Sequence, residues 1–199
     1  MGLTASPPCP SASRRRGLTL IEILVAVVVL GIILAVAAPS LADMLERRRV
    51  VAAAGELVSL FNYAKSEANA VGDALNLHLE PPADTTTSCA RLSTASTSDT
   101  CRCDFSAENV CKLGGNSKLV REFVLPNSTG VSFEATADWG VLGHRLTFRR
   151  NRYFTDVQNV RLTVTGRRTG AQLRVEYNNL GRVRVCSPDG SMSGYPVCG

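Results

Sequence analysis

A chain of 199 residues with 45% hydrophobic and 20% charged residues has the composition of a folded protein and excludes an intrinsically disordered one. Its length suits one domain plus an anchor, and its net charge is +5 at pH 7. The 2 histidines have no visible partners and the carboxylates form no recognisable pair, so neither an enzyme, a metal site nor a cofactor is expected.

The first informative stretch is "RRRGLTLIE", Arg14 to Glu22, three arginines and a glycine placed directly before an apolar run. From Ile23 to Ala38 every residue is apolar or glycine, which leaves Glu22 the only charge between Arg16 and Asp43. As a helix, Leu18 to Leu41 would span roughly 36 Å, enough to cross a hydrocarbon core. A carboxylate in such a helix costs ~2.5–3.5 kcal/mol even on the lenient insertion scale. Three readings compete. A cleaved secretory signal would use Ala35-Val36-Ala37, but the apolar run is longer than a usual h-region and Glu22 sits inside it. A plain anchor with Arg14, Arg15 and Arg16 in the cytoplasm leaves Glu22 unexplained, and Arg47-Arg48-Arg49 weaken its charge asymmetry. In the third reading the chain is cut after Gly17, and Glu22 neutralises the new amine of a neighbouring subunit in a helical polymer. Opposite charges close together in a low-dielectric core offset much of their burial cost.

Beyond the apolar run the helix continues. Leu57, Phe61, Ala64, Ala68 and Val71 recur at spacings of four and three, one apolar stripe, and Gly72 is a stop signal. The remainder reads as β: Ala74–Glu80, Lys118–Leu125, Val131–Ala135, Arg145–Arg150, Val160–Thr165, Ala171–Tyr177 and Arg182–Ser187 largely alternate apolar with polar residues. One helix followed by many short strands predicts an α+β head with antiparallel sheets against the helix. Pro81 to Ser117, rich in Ser, Thr, Asp and Cys, shows no sustained periodicity and is expected to be a long surface loop. The segments are therefore 1–17, 18–41, 42–73 and 74–199, with the cysteine-rich loop at 81–117.

That loop holds Cys89, Cys101, Cys103 and Cys111, while Cys186 and Cys198 lie near the C-terminus and Cys9 lies before Gly17. An even number of cysteines in an exported domain favours disulfides. Cys101-Arg102-Cys103 lacks zinc-ribbon spacing, and neither His78 nor His144 stands beside it. The expected arrangement is Cys186–Cys198, with the other four cysteines stapling the loop.

Charge is distributed unevenly. Val50 to His144 has 6 basic and 11 acidic residues, whereas Arg145 to Gly199 has 10 arginines and 3 acidic residues. Such asymmetry suggests a polyanion partner, though a solvated basic face has the same appearance. The arginines cluster at turns and strand edges: Arg149, Arg150 and Arg152; Arg167 and Arg168 within "GRRTG"; Arg174; Arg182 and Arg184. In "NNLGRVRVC", a left-handed Gly181 in a hairpin loop turns Tyr177, Val175, Val183 and Val185 inward. Arg182 and Arg184 then share the outer face, about 6.8 Å apart along the strand, a spacing suited to nearby phosphates. The same register sets Arg184 opposite Glu176, so a cross-strand ion pair explains it equally well. On the residues alone the two readings stand level.

The stretch "RRRGLTLIEILVAVVVLGIILAVAAPSL" resembles the class III leader of type IV pilins and type II secretion pseudopilins. The resemblance implies cleavage by a prepilin peptidase between Gly17 and Leu18, N-methylation of Leu18, a role for Glu22 in assembly, and a kink at Pro39. "ELVSLFNYAKSEANAVGDALNL" and "LTFRRNRYF…VRLTVTGRRTGAQLRVEYNNLGRVRVC" resemble the helix end and C-terminal sheet of FimT/GspH-type minor pilins. DNA-binding FimT proteins carry a GRxR motif, which Gly181-Arg182-Val183-Arg184 matches; Lys65 replaces an arginine of the helix motif. What the resemblance implies is a lollipop-shaped minor pilin that binds the phosphate backbone of double-stranded DNA without sequence preference and assists natural transformation. Arg182 and Arg184 would be its central contacts, with Arg174, Arg167, Arg168, Arg149, Arg150 and Arg152 as neighbours. Its other partners would be major and minor pilins. It would sit in the inner membrane of a Gram-negative bacterium as a single-pass protein with a periplasmic head, then in a pilus at the cell surface. The competing expectations are a structural GspH-like pseudopilin and a tip adhesin that uses the Ser/Thr-rich loop.

Replacing Gly17 is expected to block leader removal, seen as a larger species in membrane fractions. Glu22→Ala is expected to permit cleavage but impair incorporation into filaments. Normal maturation of the Gly17 variant, or a mature protein beginning after Ala37, would contradict the leader assignment.

Overall fold

The computed structural model describes residues 19–80, 87–94, 100–101, 111–112, 118–139, 144–150, 157–178 and 180–199. The chain divides into two compact units, Met1–Leu41 and Ala42–Gly199. Helix α1, Leu20–Val71, has residues in both and contains Pro39. In the first unit its residues are exposed, and they form a stretch long and apolar enough to cross a membrane. Thr19 caps its start, where the Glu22 amide donates to Thr19 Oγ1 at 3.3 Å. Gly17 and Leu18 lie outside the described residues.

In the second unit, α1 buries one face: Val50, Ala53, Ala54, Leu57, Leu60, Phe61, Ala64 and Ala68. Small alanines and larger apolar residues share this buried face, which is part of the core. Val71, expected on this stripe, is exposed, because the helix ends there. Gly72 has φ 82°, and its amide donates to the Ala68 carbonyl at 3.3 Å, a left-handed stop that glycine adopts without a Cβ penalty.

Strands follow in the described residues. β1 is Leu75–Glu80, β2 Thr87–Thr94, β3 Thr100–Cys101, β4 Cys111–Lys112 and β5 Leu119–Pro126. β6 is Val131–Thr136, β7 Arg145–Phe148, β8 Val160–Gly166, β9 Gln172–Tyr177 and β10 Val183–Cys186. One antiparallel sheet has the order β5-β2-β1-β7, the other β10-β9-β8-β6, and β3 pairs with β4. Phe61 of α1 stacks on Tyr177 of β9 at 5.3 Å and meets Phe148 of β7 edge-on at 6.3 Å. One helical side chain thereby joins both four-stranded sheets. Ser88 of β2 joins them again: its hydroxyl donates to the Phe133 carbonyl at 3.0 Å and accepts from the Phe133 amide at 3.1 Å.

The segment Pro81–Ser117 departs from its expected character as a surface loop, because it contains β2, an interior strand that is buried along most of its length. Only Ala90 and Leu92 supply its apolar core face, so the pattern reads as polar. Its other face buries Arg91, whose Nε donates to Glu122 on β5 at 3.3 Å and whose Nη1 lies 3.2 Å from Cys89 Sγ. Cys89 is disulfide-bonded and sits in this buried strand, not in a loop. Cys101 and Cys111 occupy opposed positions of the β3–β4 pair; Cys103 lies outside the described residues. Cys186 and Cys198 form a disulfide with Cα atoms 5.0 Å apart. It holds the C-terminal segment beside β10, where Ser187 bridges Val197.

The first turns of α1 in the second unit form a polar collar. Arg47 Nη1 donates to the Ser191 carbonyl and Arg49 Nη1 to the Thr129 carbonyl, both at 2.9 Å. Glu46 is buried and accepts from the amides of Arg168 at 2.9 Å and Thr169 at 2.7 Å in the β8–β9 turn. The Arg168 side chain reaches Asp43, with Nε 2.8 Å from Oδ1. Burial pushes the Glu46 carboxyl up. The Arg168 amide, the Thr169 hydroxyl and amide and the Arg168 charge outweigh it and hold the group below its ordinary value.

A depressed carboxyl pKa contributes stability above the unfolded value, about pH 4.3, and loses it as pH falls through the folded value. Glu46→Gln should therefore flatten the acid limb of the protein's stability profile, measured by thermal unfolding across pH. Glu46→Ala should cost about 2–4 kcal/mol at neutral pH, because two turn amides lose their acceptor.

Candidate nucleic-acid interface

The β9–β10 hairpin is built around Asn178. Its Oδ1 accepts from the amides of Leu180 at 3.0 Å and Arg182 at 2.9 Å. Its own amide donates to the Arg182 carbonyl at 3.0 Å, and its carbonyl accepts from Gly181 at 2.9 Å. Gly181 has φ 72°, the left-handed position that reverses the chain. Beyond it, β10 pairs with β9 so that Val183 faces Tyr177, Arg184 faces Glu176 and Val185 faces Val175. Tyr177 and Val175 are buried, Val183 and Val185 pack against the core, and Arg182 and Arg184 are exposed.

Glu176 anchors the outer row. Arg184 Nη2 donates to Glu176 Oε2 at 2.7 Å, and Arg174 Nη1 lies 3.9 Å from Glu176 Oε1. On the other side β8 places Arg161 directly opposite Glu176, and Arg161 is exposed. Across β8, β9 and β10 this face therefore gathers three arginines around one carboxylate, with Arg182 at the adjoining turn. Arg161 was missed in the sequence, although its outward phase in "VRLTVT" matches that of Arg174 two strand positions before Glu176. Only the pairing of β8 with β9 shows that the two belong to one row.

The remaining arginines are not all brought to this place. Arg167 and Arg168 occupy the β8–β9 turn, at the opposite end of β9 from Gly181. They stand about 20 Å away at the usual rise of a strand. Arg168 is held there by Asp43, and the Arg167 amide donates to the Gly130 carbonyl at 2.9 Å, so the GRRTG turn serves the collar of α1. Arg149 and Arg150 follow β7 and are exposed. Arg150 packs at the C-terminus of α1, its Nη1 3.3 Å from where a Cβ on Gly72 would lie, a favourable place for a cation. Phe148, just before them, contacts Tyr177 at 5.9 Å, which sets this pair near the hairpin end of β9. Arg152 lies outside the described residues.

Among the described residues, the group with metal-ligand proximity is Glu176 with Cys186 and Cys198. Both thiols are consumed by the disulfide, so these residues do not fit a metal ion.

Among solved structures, the chain is similar to the minor pseudopilin EpsH of the type 2 secretion system of Vibrio cholerae. The identity is 15%, with 70% of this chain and 97% of that chain covered and a TM-score of 0.45. It is also similar to the type IV minor pilin FimU of Pseudomonas aeruginosa, at 14% identity, 71% and 91% coverage and a TM-score of 0.46. No curated protein matches the sequence. Residues 12–38 match the family described as the prokaryotic N-terminal methylation motif. This stretch contains Gly17, Leu18 and Glu22 and runs into the apolar part of α1. Residues 12–38 thus carry that methylation motif, and the later turns of α1 pack against antiparallel sheets.

Proposed function

We propose that the chain is a minor subunit of a type IV pilus that binds the phosphate backbone of double-stranded DNA and assists its uptake in natural transformation. The observation that carries this reading is the exposed pair Arg182 and Arg184 on a tightly bonded hairpin, continuous with Arg161 and Arg174 in a row where Glu176 pairs with Arg174 and Arg184. A row of guanidinium groups on a rigid sheet suits phosphates, which position a duplex without reading its sequence. The ion pair with Glu176 is compatible with that role: a guanidinium has several N–H donors, and one carboxylate does not exhaust them. It also restrains the Arg184 side chain, which lowers the entropy lost on engaging a phosphate. Processing at Gly17, methylation of Leu18 and an assembly role for Glu22 belong to the same proposal, in which the subunit enters a filament from the inner membrane.

The 2.7 Å ion pair between Arg184 and Glu176 also favours a second reading, a structural pseudopilin whose arginines only stabilise an exposed sheet. An exposed pair of this kind contributes ~0.2–1 kcal/mol. The two readings separate in a DNA mobility-shift titration over a range of salt, using the mature protein in detergent. Arg182→Gln combined with Arg184→Gln should weaken binding to unrelated sequences alike and lower the log–log salt slope by ~0.9 for each phosphate no longer neutralised. Folding should persist, because both side chains are exposed and such changes usually cost within about 0.5 kcal/mol. Unchanged affinity and slope in the folded double variant would favour the structural subunit.

A further inference from the structure

We propose that Lys65 of α1 is a positioning residue for Arg182, fixing the peptide group from which that arginine projects; this rests on the DNA-binding reading of the hairpin. Lys65 lies one helical turn beyond Phe61 on a partly buried part of the helix. Its Nζ donates to the Gly181 carbonyl at 2.5 Å. The Gly181 carbonyl and the Arg182 amide are the two polar ends of one planar peptide unit. Lys65 holds the first, and Asn178 Oδ1 holds the second at 2.9 Å. With both ends bonded, the unit cannot rotate without breaking one of them, and the direction of the Arg182 Cα–Cβ bond is set from outside the hairpin.

Among the described residues, the other hydrogen bonds of the turn involve Asn178 and lie within the hairpin itself. They leave the Gly181 carbonyl to Lys65, at a glycine whose backbone is free to move through both halves of conformational space. Phe61 stacking on Tyr177 fixes the strand pair that closes the loop. Successive turns of α1 thus grip the loop at its closing pair and at its tip. Among the described residues no carboxylate pairs with Lys65, so its ammonium group is directed to the Gly181 carbonyl.

The test compares Lys65→Met, Lys65→Arg, Arg182→Gln and the Lys65→Met/Arg182→Gln double variant of the mature protein in detergent, against a random-sequence duplex. Lys65→Met should weaken binding about tenfold, the scale of one charge-assisted hydrogen bond, with the protein still folded at the assay temperature by thermal unfolding. Lys65→Arg, which keeps a donor, should recover most of that loss. In the Arg182→Gln background Lys65→Met should cost nothing further, because its effect passes through Arg182. Hydrogen–deuterium exchange at residues 180–182, without DNA, should quicken by about tenfold or more in Lys65→Met. Unchanged exchange, unchanged affinity alongside a weakened Arg182→Gln, or additive losses in the double variant would each overturn the proposal. If Arg182→Gln itself binds normally, the DNA-binding reading has failed and the positioning role falls with it; the exchange measurement shows separately whether Lys65 orders the turn.

Discussion

Phe61 stands where three elements meet, and the arrangement of the second unit depends on how that one side chain is enclosed. Its ring stacks on Tyr177 and meets Phe148 edge-on, while Phe148 also contacts Tyr177. These geometries are favourable aromatic contacts beyond the area they bury. Because Tyr177 ends β9 and Phe148 ends β7, the ring registers both sheets against one position on α1. Ala54, Ala64 and Ala68 are buried on the same side of the helix, and a larger residue at those places would overpack the core around the ring.

Polar contacts complete what the aromatic cluster begins. α1 is coupled to its sheets by side chains at separate levels: Glu46 and Asp43 at the β8–β9 turn, Arg47 and Arg49 at two further loops, Phe61 in the middle, and Lys65 at the β9–β10 turn. At nearly all of the polar levels a charged side chain meets backbone groups that a turn leaves unpaired. Such groups are costly when buried and unbonded. The head therefore does not rely on apolar area alone to fix the angle of its turns. This matters for an arginine surface, since side chains that are already oriented lose less freedom on binding.

Much of this was legible in the sequence, and the rest was hidden for physical reasons. The strands with strict alternation, such as Val131–Thr136 and Gln172–Tyr177, appear where the pattern places them. Gly181 turns the chain, and Glu176 faces Arg184, because a short hairpin loop ties register to local sequence. β2 was not legible, because it is buried on both faces with Cys89, Arg91 and Ser93 on one of them, and such a strand lacks the apolar alternation of a half-exposed one. Arg161 and the split between Arg168 and Arg182 were not legible either. Which arginines share a surface depends on strand order, and strand order is set by long-range packing. The meaning of Arg47 and Arg49 lay equally out of reach: a basic run beside an apolar helix reads as a topology signal, and their bonds to distant carbonyls appear only in the folded chain.

The buried Glu46 has a consequence for which substitutions this fold can accept together. A Cβ on Gly166 would lie 3.1 Å from Glu46 Cδ and 3.1 Å from Thr169 Oγ1, closer than side-chain atoms ordinarily approach. The first glycine of GRRTG is thus crowded both by Thr169 within the turn and by a glutamate 120 residues earlier in the chain. Should position 46 drift to a smaller residue, one of these contacts is relieved while that with Thr169 remains, and the Arg168 and Thr169 amides are left to be satisfied in another way. Positions 46, 166 and 169 therefore form one heritable unit split between a helix and a turn, and divergence is expected to preserve or replace it as a whole.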